Sequence, residues 1–419
     1  MNKKEPFFSI IIPTRNRHKT LFYSIKTVLN QYFSDFELII CDNNSSPETQ
    51  ELVSSFDNNK IKYIRSDIDL AMTDNWELAI SKATGTYIIV FGDDDGIMPY
   101  ALKDLYFILN ETKAKVIRWD RVYYSWPCII VEDAKNKLSI PIKIKYKTNY
   151  IDGTQIIAKI ANGDYPYELL PMFYNSVIHK DLISKAKATS NRIFHSQIPD
   201  VYSGYLFAYL GEKYLSIDKP MTINGGSAKS NGTATLYAKK DNKVSKEFNS
   251  LYYNKSKLSF HSSMPNVKSL PVFTTEPFMQ LKEIYNLDDQ KFKIDKKRVL
   301  KNIVNGLKTF DKEDWDNSIK IISKTVYKDK NLNKWFINYA NKIKPKFISK
   351  IIKKRTLFDG QNLSLDASKF GITNVYDVSL FVNNMLEKQN INLKIENKIY
   401  KKIYKRIRNT IKVLIYGKL

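Results

Sequence analysis

The chain has 419 residues, of which 43% are hydrophobic, so it is long enough for two or three domains and too apolar for wholesale disorder. Its formal net charge of +24 is uneven, because residues 1–240 hold 30 Lys and Arg against 26 Asp and Glu, whereas residues 241–419 hold 37 against 17. Two isolated cysteines fit buried thiols in a reducing compartment, and no apolar run reaches the ~18 residues of a membrane-spanning helix, so a cytoplasmic protein is expected.

Strand and helix patterns alternate along residues 1–120. Near-continuous apolar runs predict buried strands, and apolar residues on one side of a 3.6-residue repeat predict helices. The predicted elements are a strand at 7–13, a helix at 18–31, a strand at 35–41, a helix at 46–56, a strand at 60–65, a helix at 73–83, a strand at 86–92, a helix at 99–109 and a strand at 115–119. This alternation predicts an α/β fold with a parallel sheet that helices cover on both faces.

Polar loops follow three of the predicted strands, at residues 13–17, 42–45 and 93–95. In parallel α/β sheets, ligands bind beyond the carboxyl ends of the strands. We therefore expect these three loops to converge on one binding site.

The third loop contains three consecutive aspartates, Asp93, Asp94 and Asp95. Adjacent carboxylates repel one another unless a positive charge lies among them, and hard oxygen ligands suit Mg²⁺ or Mn²⁺. The side chains at 93 and 95 can point the same way on an extended segment. A divalent metal held there and shared with a diphosphate is the functional interpretation. The structural alternative is an acidic turn that caps the following helix.

Three segments carry a family resemblance: "FSIIIPTRNR", "SIKTVLNQYFSDFELIICDNNS" and "NWELAISKATGTYIIVFGDDDGIMP". In this order and spacing, residues 7–110 resemble the family-2 glycosyltransferases, whose last block ends in a metal-binding Asp-x-Asp motif. The resemblance implies a GT-A fold, that is, a Rossmann-like, mixed, mainly parallel sheet with helices on both faces. It also implies an inverting sugar transfer from a nucleotide-sugar donor.

The resemblance further implies roles for single residues. Nucleotide-sugar binding is assigned to Pro13, Thr14, Arg15, Asn16, Asp42, Asn75, Asp93 and Asp94. Asp42 would hold the base or ribose, although this chain has Asn43 where the family often has a second aspartate, which leaves the base open. Metal binding is assigned to Asp93 and Asp95, and the implied cofactor is Mn²⁺ or Mg²⁺.

An inverting transfer also needs a general base that takes the proton of the acceptor hydroxyl. The family has a carboxylate in this role far beyond its Asp-x-Asp motif, which here matches Asp200 in "SQIPDVYSG". Asp200 as a simple helix cap is the alternative, and Asp164 and Glu168 are the reserve candidates. His195 has a weaker claim to contact the acceptor. The glycine-rich segment 224–233 is either a loop over the substrates or an ordinary surface loop.

The carboxyl-terminal region is helical in pattern and basic. Between residues 394 and 419, isoleucine recurs at every fourth position with Lys and Arg around it, and residues 341–355 repeat the theme. This pattern is typical of a helix on an anionic membrane surface, and a packed terminal helix is the alternative. The expected protein is cytoplasmic and peripheral on the inner face of the cell membrane. Its acceptor would be a glycan or a lipid-linked molecule in bacterial surface polysaccharide synthesis.

These patterns predict four regions. They are a nucleotide-sugar-binding half of a GT-A domain at 1–120, an acceptor-binding half at 121–240, a connector at 241–290 and a basic helical region at 291–419.

Three other functions compete. A haloacid-dehalogenase-type phosphatase would use Asp93 as nucleophile, but its motif usually stands near the start of a domain. A sugar nucleotidyltransferase would need a glycine-rich phosphate loop after the first strand, where this chain has "PTRNRHK". A non-enzymatic polyanion-binding protein would explain the charge, but the basic half shows no zinc or RNA-binding motif, so no nucleic acid is expected as a partner.

Overall fold

The computed structural model describes residues 5–141, 148–230, 243–256, 258–308, 310–343 and 362–393. The basic helix predicted at 394–419 lies outside the described residues, as do most of the second basic stretch at 341–355 and the end of the glycine-rich segment at 231–233.

Strands and helices alternate through the first third of the chain. These elements are β1 Phe8–Thr14, α1 His18–Leu29, β2 Phe36–Asp42, α2 Pro47–Ser54, β3 Ile61–Arg65, α3 Met72–Ser81, β4 Tyr87–Val90, β5 Gly96–Ile97, α4 Ala101–Thr112 and β6 Val116–Ser125. Every element that the sequence predicts here is present, with ends that shift by one to a few residues and with β6 running well past its predicted end. The two-residue strand β5 was not predicted.

The rest of the described chain mixes short strands with helices. Its elements are β7 Lys137–Pro141, β8 Thr148–Asp152, α5 Gly153–Ala161, β9 Ser176–His179, α6 Lys180–Ser190, α7 Pro199–Leu210, β10 Lys213–Gly226, α8 Lys243–Lys255, α9 Leu270–Ile284, α10 Lys296–Leu307, α11 Lys312–Val326, α12 Lys330–Lys342, β11 Asn362–Asp366 and α13 Val375–Leu393.

All eleven of these strands belong to one mixed sheet, whose main path runs β11-β7-β6-β9-β4-β1-β2-β3. Strands β4, β1, β2 and β3 are parallel and form the centre of the site-bearing half. Strand β9 runs antiparallel between β4 and β6, and β10 runs parallel to β6 with an irregularity between Ile217 and Thr222. The predicted fold class is confirmed: a mixed sheet, parallel at its core, with helices and a helical carboxyl-terminal region.

The two faces of the sheet bury two separate cores. Ile10 and Ile12 of β1 point into one core, which α1, α4 and α13 cover, whereas Ile11 points into the other, which α3, α5, α6, α7 and α9 cover. Because successive side chains of a strand point to opposite faces, an uninterrupted apolar strand is what a sheet covered on both sides requires.

The carboxyl-terminal region contains a separate hydrophobic core, and the chain then adds a last strand to the sheet. Helices α10, α11 and α12 pack around Ile303, Ile322 and Phe336. Strand β11 then pairs antiparallel with β7, and α13 packs against α1. None of the described helices has both the length and the apolar character needed to cross a bilayer. The four predicted regions stay a prediction about function. Strand β6 crosses residue 120, the first predicted boundary between them, without a break.

Candidate active site

A cavity of 830 Å³ lies at the carboxyl ends of β1 and β4. The predicted site residues that line it are Pro13, Thr14, Arg15, Asn16, Asn75, Asp93, Asp94, Asp95 and Asp200. Two of the three predicted loops therefore reach one cavity with their predicted residues. From the third loop, Asn43 lines the cavity, whereas the neighbouring Asp42 is buried and does not line it.

The aspartate turn is closed by the last of its three carboxylates. Asp95 accepts hydrogen bonds from the backbone N–H of Gly92 at 2.8 Å and from the backbone N–H of Gly225 on β10 at 2.7 Å. Gly225 approaches so closely that a Cβ atom there would lie 1.7 Å from the carbonyl oxygen of Asp94. A glycine at 225 is thus required for β10 to dock on the turn.

The first carboxylate of the turn faces the loop that follows β1. Asp93 accepts a hydrogen bond from the Thr14 hydroxyl at 2.6 Å and one from the Arg17 guanidinium at 3.0 Å. The same guanidinium lies 3.6 Å from Asp94. Burial alone would lower the pKa of Arg17, but the charges of Asp93 and Asp94 outweigh it and raise that pKa. Arg17 is therefore a fixed cation among the aspartates.

The second carboxylate anchors the start of the glycine-rich segment. Asp94 Oδ2 accepts hydrogen bonds from the hydroxyls of Ser227 at 2.6 Å and Ser230 at 2.5 Å. Lys229 donates to the carbonyl oxygen of Asn16 at 2.7 Å, which joins the same segment to the loop after β1. Residues 225–230 are thus part of the cavity wall and not a detached surface loop.

One arginine does not neutralise the aspartate turn. Burial raises the pKa of Asp95 to about 8, and the charge of Asp94 adds to the effect. Burial also raises the pKa of Asp93, although Arg17 opposes it. Both shifts come mainly from burial, since the three carboxylates are at most 5% exposed, and the charge of Asp94 adds to them. When all three are ionised, Arg17 leaves an excess of negative charge in the turn.

A divalent cation would offset this excess, and carboxylate oxygens are the ligands that Mg²⁺ and Mn²⁺ prefer. The described residues contain no group of three or more His, Cys, Asp or Glu side chains arranged to hold an ion by themselves.

On the other side of the cavity, the loop after β1 is held in place by ion pairs. Arg15 donates to Asp69 at 2.9 Å and to Glu247 at 3.0 Å. Asp42 does not face the cavity, because its carboxylate accepts hydrogen bonds from the Tyr63 hydroxyl at 2.5 Å and the backbone N–H of Ser45 at 3.0 Å. Its predicted contact with base or ribose stays a prediction, and the structure shows it supporting the loop.

Asp200 lines the same cavity. It is the second residue of α7, which begins at Pro199, a residue type favoured in the first turn of a helix. Burial raises the pKa of Asp200, and hydrogen bonds from nearby backbone N–H groups only partly oppose this. A half-buried carboxylate with a raised pKa, in reach of a bound substrate, is suited to accept a proton.

The comparisons with known proteins agree with this geometry. Residues 9–162 match the family model described as "Glycosyl transferase family 2". The chain carries a family-2 glycosyltransferase domain. One relative is the "GalNAc(5)-diNAcBac-PP-undecaprenol beta-1,3-glucosyltransferase" of Campylobacter jejuni, which is 34% identical over 26% of this chain and 37% of its own length.

A second family-2 relative is the "UDP-Glc:alpha-D-GlcNAc-diphosphoundecaprenol beta-1,3-glucosyltransferase WfgD" of Escherichia coli, 32% identical over 21% of this chain and 34% of its own length. The chain thus spans little more than a third of these relatives. Among solved structures, Staphylococcus aureus TarS 1-349 in complex with UDP-GlcNAc aligns over 80% of this chain and 87% of TarS. That alignment has 17% identity and a TM-score of 0.45.

The remaining candidates, which lie beyond the matched residues 9–162, differ in position. Glu168 lines the cavity, whereas Asp164 forms an ion pair with Arg298 outside it. His195 lies 2.8 Å from the Ser190 hydroxyl and does not line the cavity, and burial lowers its pKa to about 4. Of the two reserve carboxylates, only Glu168 is placed to contact a substrate.

Sequence reasoning missed two buried arginines of the family-2 site, Arg17 and Arg121. Arg17 stands in the quoted "PTRNR" loop, and the need for a cation among three carboxylates could have pointed to it. Arg121 lies on β6, beyond residues 7–110, whose motifs carry the resemblance in the sequence, and no local sequence signal separates it from Arg118 on the same strand.

Proposed function

We propose that this chain is a metal-dependent, inverting glycosyltransferase. It moves a sugar from a nucleotide-sugar donor to a hydroxyl of a glycan or lipid-linked acceptor, in bacterial surface polysaccharide synthesis. The observation that carries the proposal is the shared cavity, because the aspartate turn and Asp200 both line one space of 830 Å³. A pocket of this size accommodates a bound small molecule and leaves room for a second group.

The donor would lie against the loop after β1. Thr14, Asn16 and Asn75 line that part of the cavity and offer hydrogen-bonding groups to a nucleotide. Asp93 and Asp95 would hold Mn²⁺ or Mg²⁺, which when bound supplies a Lewis acid for the departing diphosphate. Arg17, fixed against Asp93, adds a permanent positive charge beside the same leaving group.

The acceptor would enter on the side of Asp200. In the transfer step, the Asp200 carboxylate takes the proton of the acceptor hydroxyl while the hydroxyl oxygen forms a bond to the anomeric carbon. The bond from that carbon to the nucleoside diphosphate breaks on the opposite face, so the configuration inverts. Because burial raises the pKa of Asp200, it is a stronger base than a free carboxylate.

The names of the relatives support a lipid-linked acceptor. The names of both relatives contain an undecaprenol diphosphate group. The excess of Lys and Arg in residues 241–419 of this chain suits an anionic surface. We propose a cytoplasmic enzyme that is peripheral on the inner face of the membrane.

The metal and the aspartate turn are tested together. Asp95→Ala should lower sugar-nucleotide turnover by at least 100-fold, about 2.7 kcal/mol, because a site that supports charge on the leaving group is lost. Excess EDTA should abolish turnover by the unchanged chain, and Mn²⁺ should restore it. Asp133→Asn, an exposed carboxylate outside the cavity, is the matched control. Full turnover by Asp95→Ala, or in EDTA, would rule out the metal role.

The base is tested by its pH dependence. A base works only when ionised, so kcat/KM should rise with pH through the raised pKa of Asp200 and fall away below it. Asp200→Asn should bind the donor with unchanged affinity and lose transfer at every pH. Loss of donor binding in that variant would show that Asp200 belongs to the donor site.

The phosphatase alternative would use Asp93 as nucleophile, and the match of residues 9–162 to the family-2 model supports the transferase instead. A polyanion-binding protein without activity would bind vesicles or nucleic acid and show no stabilisation by nucleotide sugars. A thermal-shift panel of nucleotide sugars with Mn²⁺ separates it from the enzyme.

A further inference from the structure

Arg121 is a buried cation whose donors are mostly unused. It projects from β6, is 8% exposed and lines the cavity. Among the described residues, its hydrogen bond goes to the Tyr123 hydroxyl at the long distance of 3.4 Å, and the Tyr123 ring lies 5.3 Å below the guanidinium carbon. A guanidinium carries five N–H donors, so the hydrogen bond to Tyr123 leaves most of them for other acceptors.

Arg118 shows what a structural arginine looks like on the same strand. It is also 8% exposed. Its guanidinium donates to the Glu168 carbonyl oxygen at 3.1 Å and the Ser216 hydroxyl at 3.0 Å, and it forms an ion pair with Asp120 at 2.6 Å. Burying a charge is costly unless partners replace the lost water, and Arg118 has them.

The other cations of the cavity wall are also engaged. Arg15 pairs with Asp69 and Glu247, and Arg17 pairs with Asp93. Lys229 donates to a backbone carbonyl oxygen. Within the described part of the cavity wall, Arg121 is therefore the cation with the most donors left for a ligand.

The position of Arg121 points to the acceptor side. It lines the cavity together with Asp200 and Glu168, and it also lines a second pocket of 160 Å³ whose described lining includes Glu168 but no residue of the loop after β1 or of the aspartate turn. The donor loop after β1 has its own cation in Arg17. A ligand group that contacts Arg121 would thus lie beside the proposed base, where the acceptor hydroxyl must enter.

We propose that Arg121 forms a binding subsite for a phosphate or carboxylate group of the acceptor, close to the hydroxyl that is glycosylated. The planar guanidinium matches both anions with two parallel hydrogen bonds, which an ammonium group cannot provide. A neutral acceptor would leave the buried charge without a partner, so the enzyme selects anionic acceptors. This inference rests on the proposed glycosyltransferase function.

Paired probes test the subsite on the full chain. Binding of glycerol 3-phosphate is compared with glycerol, and binding of glucuronate with glucose, each with and without a saturating nucleoside diphosphate and Mn²⁺. The unchanged chain should prefer at least one anionic probe over its neutral partner by about tenfold or more. Arg121→Gln should lose that preference, and Arg121→Lys should keep only part of it. Lys103→Gln, which removes an exposed charge on α4, should keep all of it.

The outcomes separate this inference from the proposed function. Equal binding of the anionic probes by Arg121→Gln and by the unchanged chain would overturn the proposed subsite. Loss of nucleotide-sugar binding in Arg121→Gln would also overturn it, because that result would assign Arg121 to the donor site. A variant that shifts only the pH profile of transfer, equally for neutral and anionic acceptors, would show that Arg121 merely tunes Asp200. Failure of the unchanged chain to bind any nucleotide sugar would instead defeat the proposed function. Arg121→Lys serves if Arg121→Gln does not fold.

Discussion

The three adjacent aspartates are tolerated because each has different partners. Asp93 pairs with Arg17, Asp94 accepts two serine hydroxyls, and Asp95 accepts two backbone N–H groups. Burial raises the pKa of Asp95 to about 8, and the charge of Asp94 adds to the rise. In the proposed enzyme, a divalent cation would supply further positive charge beside the turn.

Gly225 is the single residue on which the docking of β10 depends most directly. In Gly225→Ala, the added methyl group would meet the Asp94 carbonyl oxygen and the Trp126 indole, so the backbone must move. We expect a loss of about 1–3 kcal/mol in the free energy of unfolding, measured by urea titration, and a loss of transfer activity because the bond from Gly225 to Asp95 is displaced.

Gly226→Ala is the matched control. The nearest atom to a Cβ there is the flexible end of the Ile129 side chain at 3.3 Å, so this variant should be close to neutral. Equal stability of the two variants would contradict the close approach at Gly225.

At the scale of elements, the sequence predicts the fold well where strands are buried on both faces. Strands β1, β2 and β4 are uninterrupted apolar runs, and the helices between them have clear apolar stripes. The short strands β7, β8 and β9 were not predicted, because they are short, partly exposed or mixed in polarity. Their structure depends on partners far away in the chain, which a local pattern does not contain.

The same contrast applies to the site. The aspartate turn and the loop after β1 follow predictable strands, so their convergence could be expected from strand order alone. The contacts of Asp94 with Ser227 and Ser230 span more than 130 residues, and no spacing rule predicts them. Long-range side-chain contacts of this kind come only from the tertiary structure.

The segment 225–230 is held to the site mainly by two serine hydroxyls. In Ser227→Ala with Ser230→Ala, Asp94 Oδ2 loses both donors, and hydrogen bonds to a charged group contribute about 1.5–3 kcal/mol each. We expect the backbone amide of Gly225 to exchange with solvent roughly 10- to 100-fold faster, by hydrogen exchange and mass spectrometry. Ser81→Ala, an exposed serine on α3, should leave this exchange unchanged. Unaltered protection of Gly225 in the double variant would show that backbone pairing alone holds the segment.

At the scale of the whole molecule, the basic carboxyl-terminal region is tied to the catalytic sheet. Strand β11 pairs with β7, and α13 buries Val375, Val378 and Val382 in the core that also contains the apolar face of α1. Residues 394–419 follow α13 directly. The helix that precedes them in the chain is therefore packed against the sheet.

A chain shortened to end at residue 393 tests the proposed membrane attachment separately from catalysis. It keeps all of α13, so the fold and the turnover with a soluble acceptor should be preserved. It should lose sedimentation with vesicles that contain phosphatidylglycerol, since each basic residue near such a surface contributes about 1 kcal/mol. A full-length variant with Lys401, Lys402 and Lys405 changed to Gln should show an intermediate loss that salt enhances. Sedimentation of the shortened chain at the level of the intact chain would place the membrane contact elsewhere, most directly on the lysines of α10 to α12.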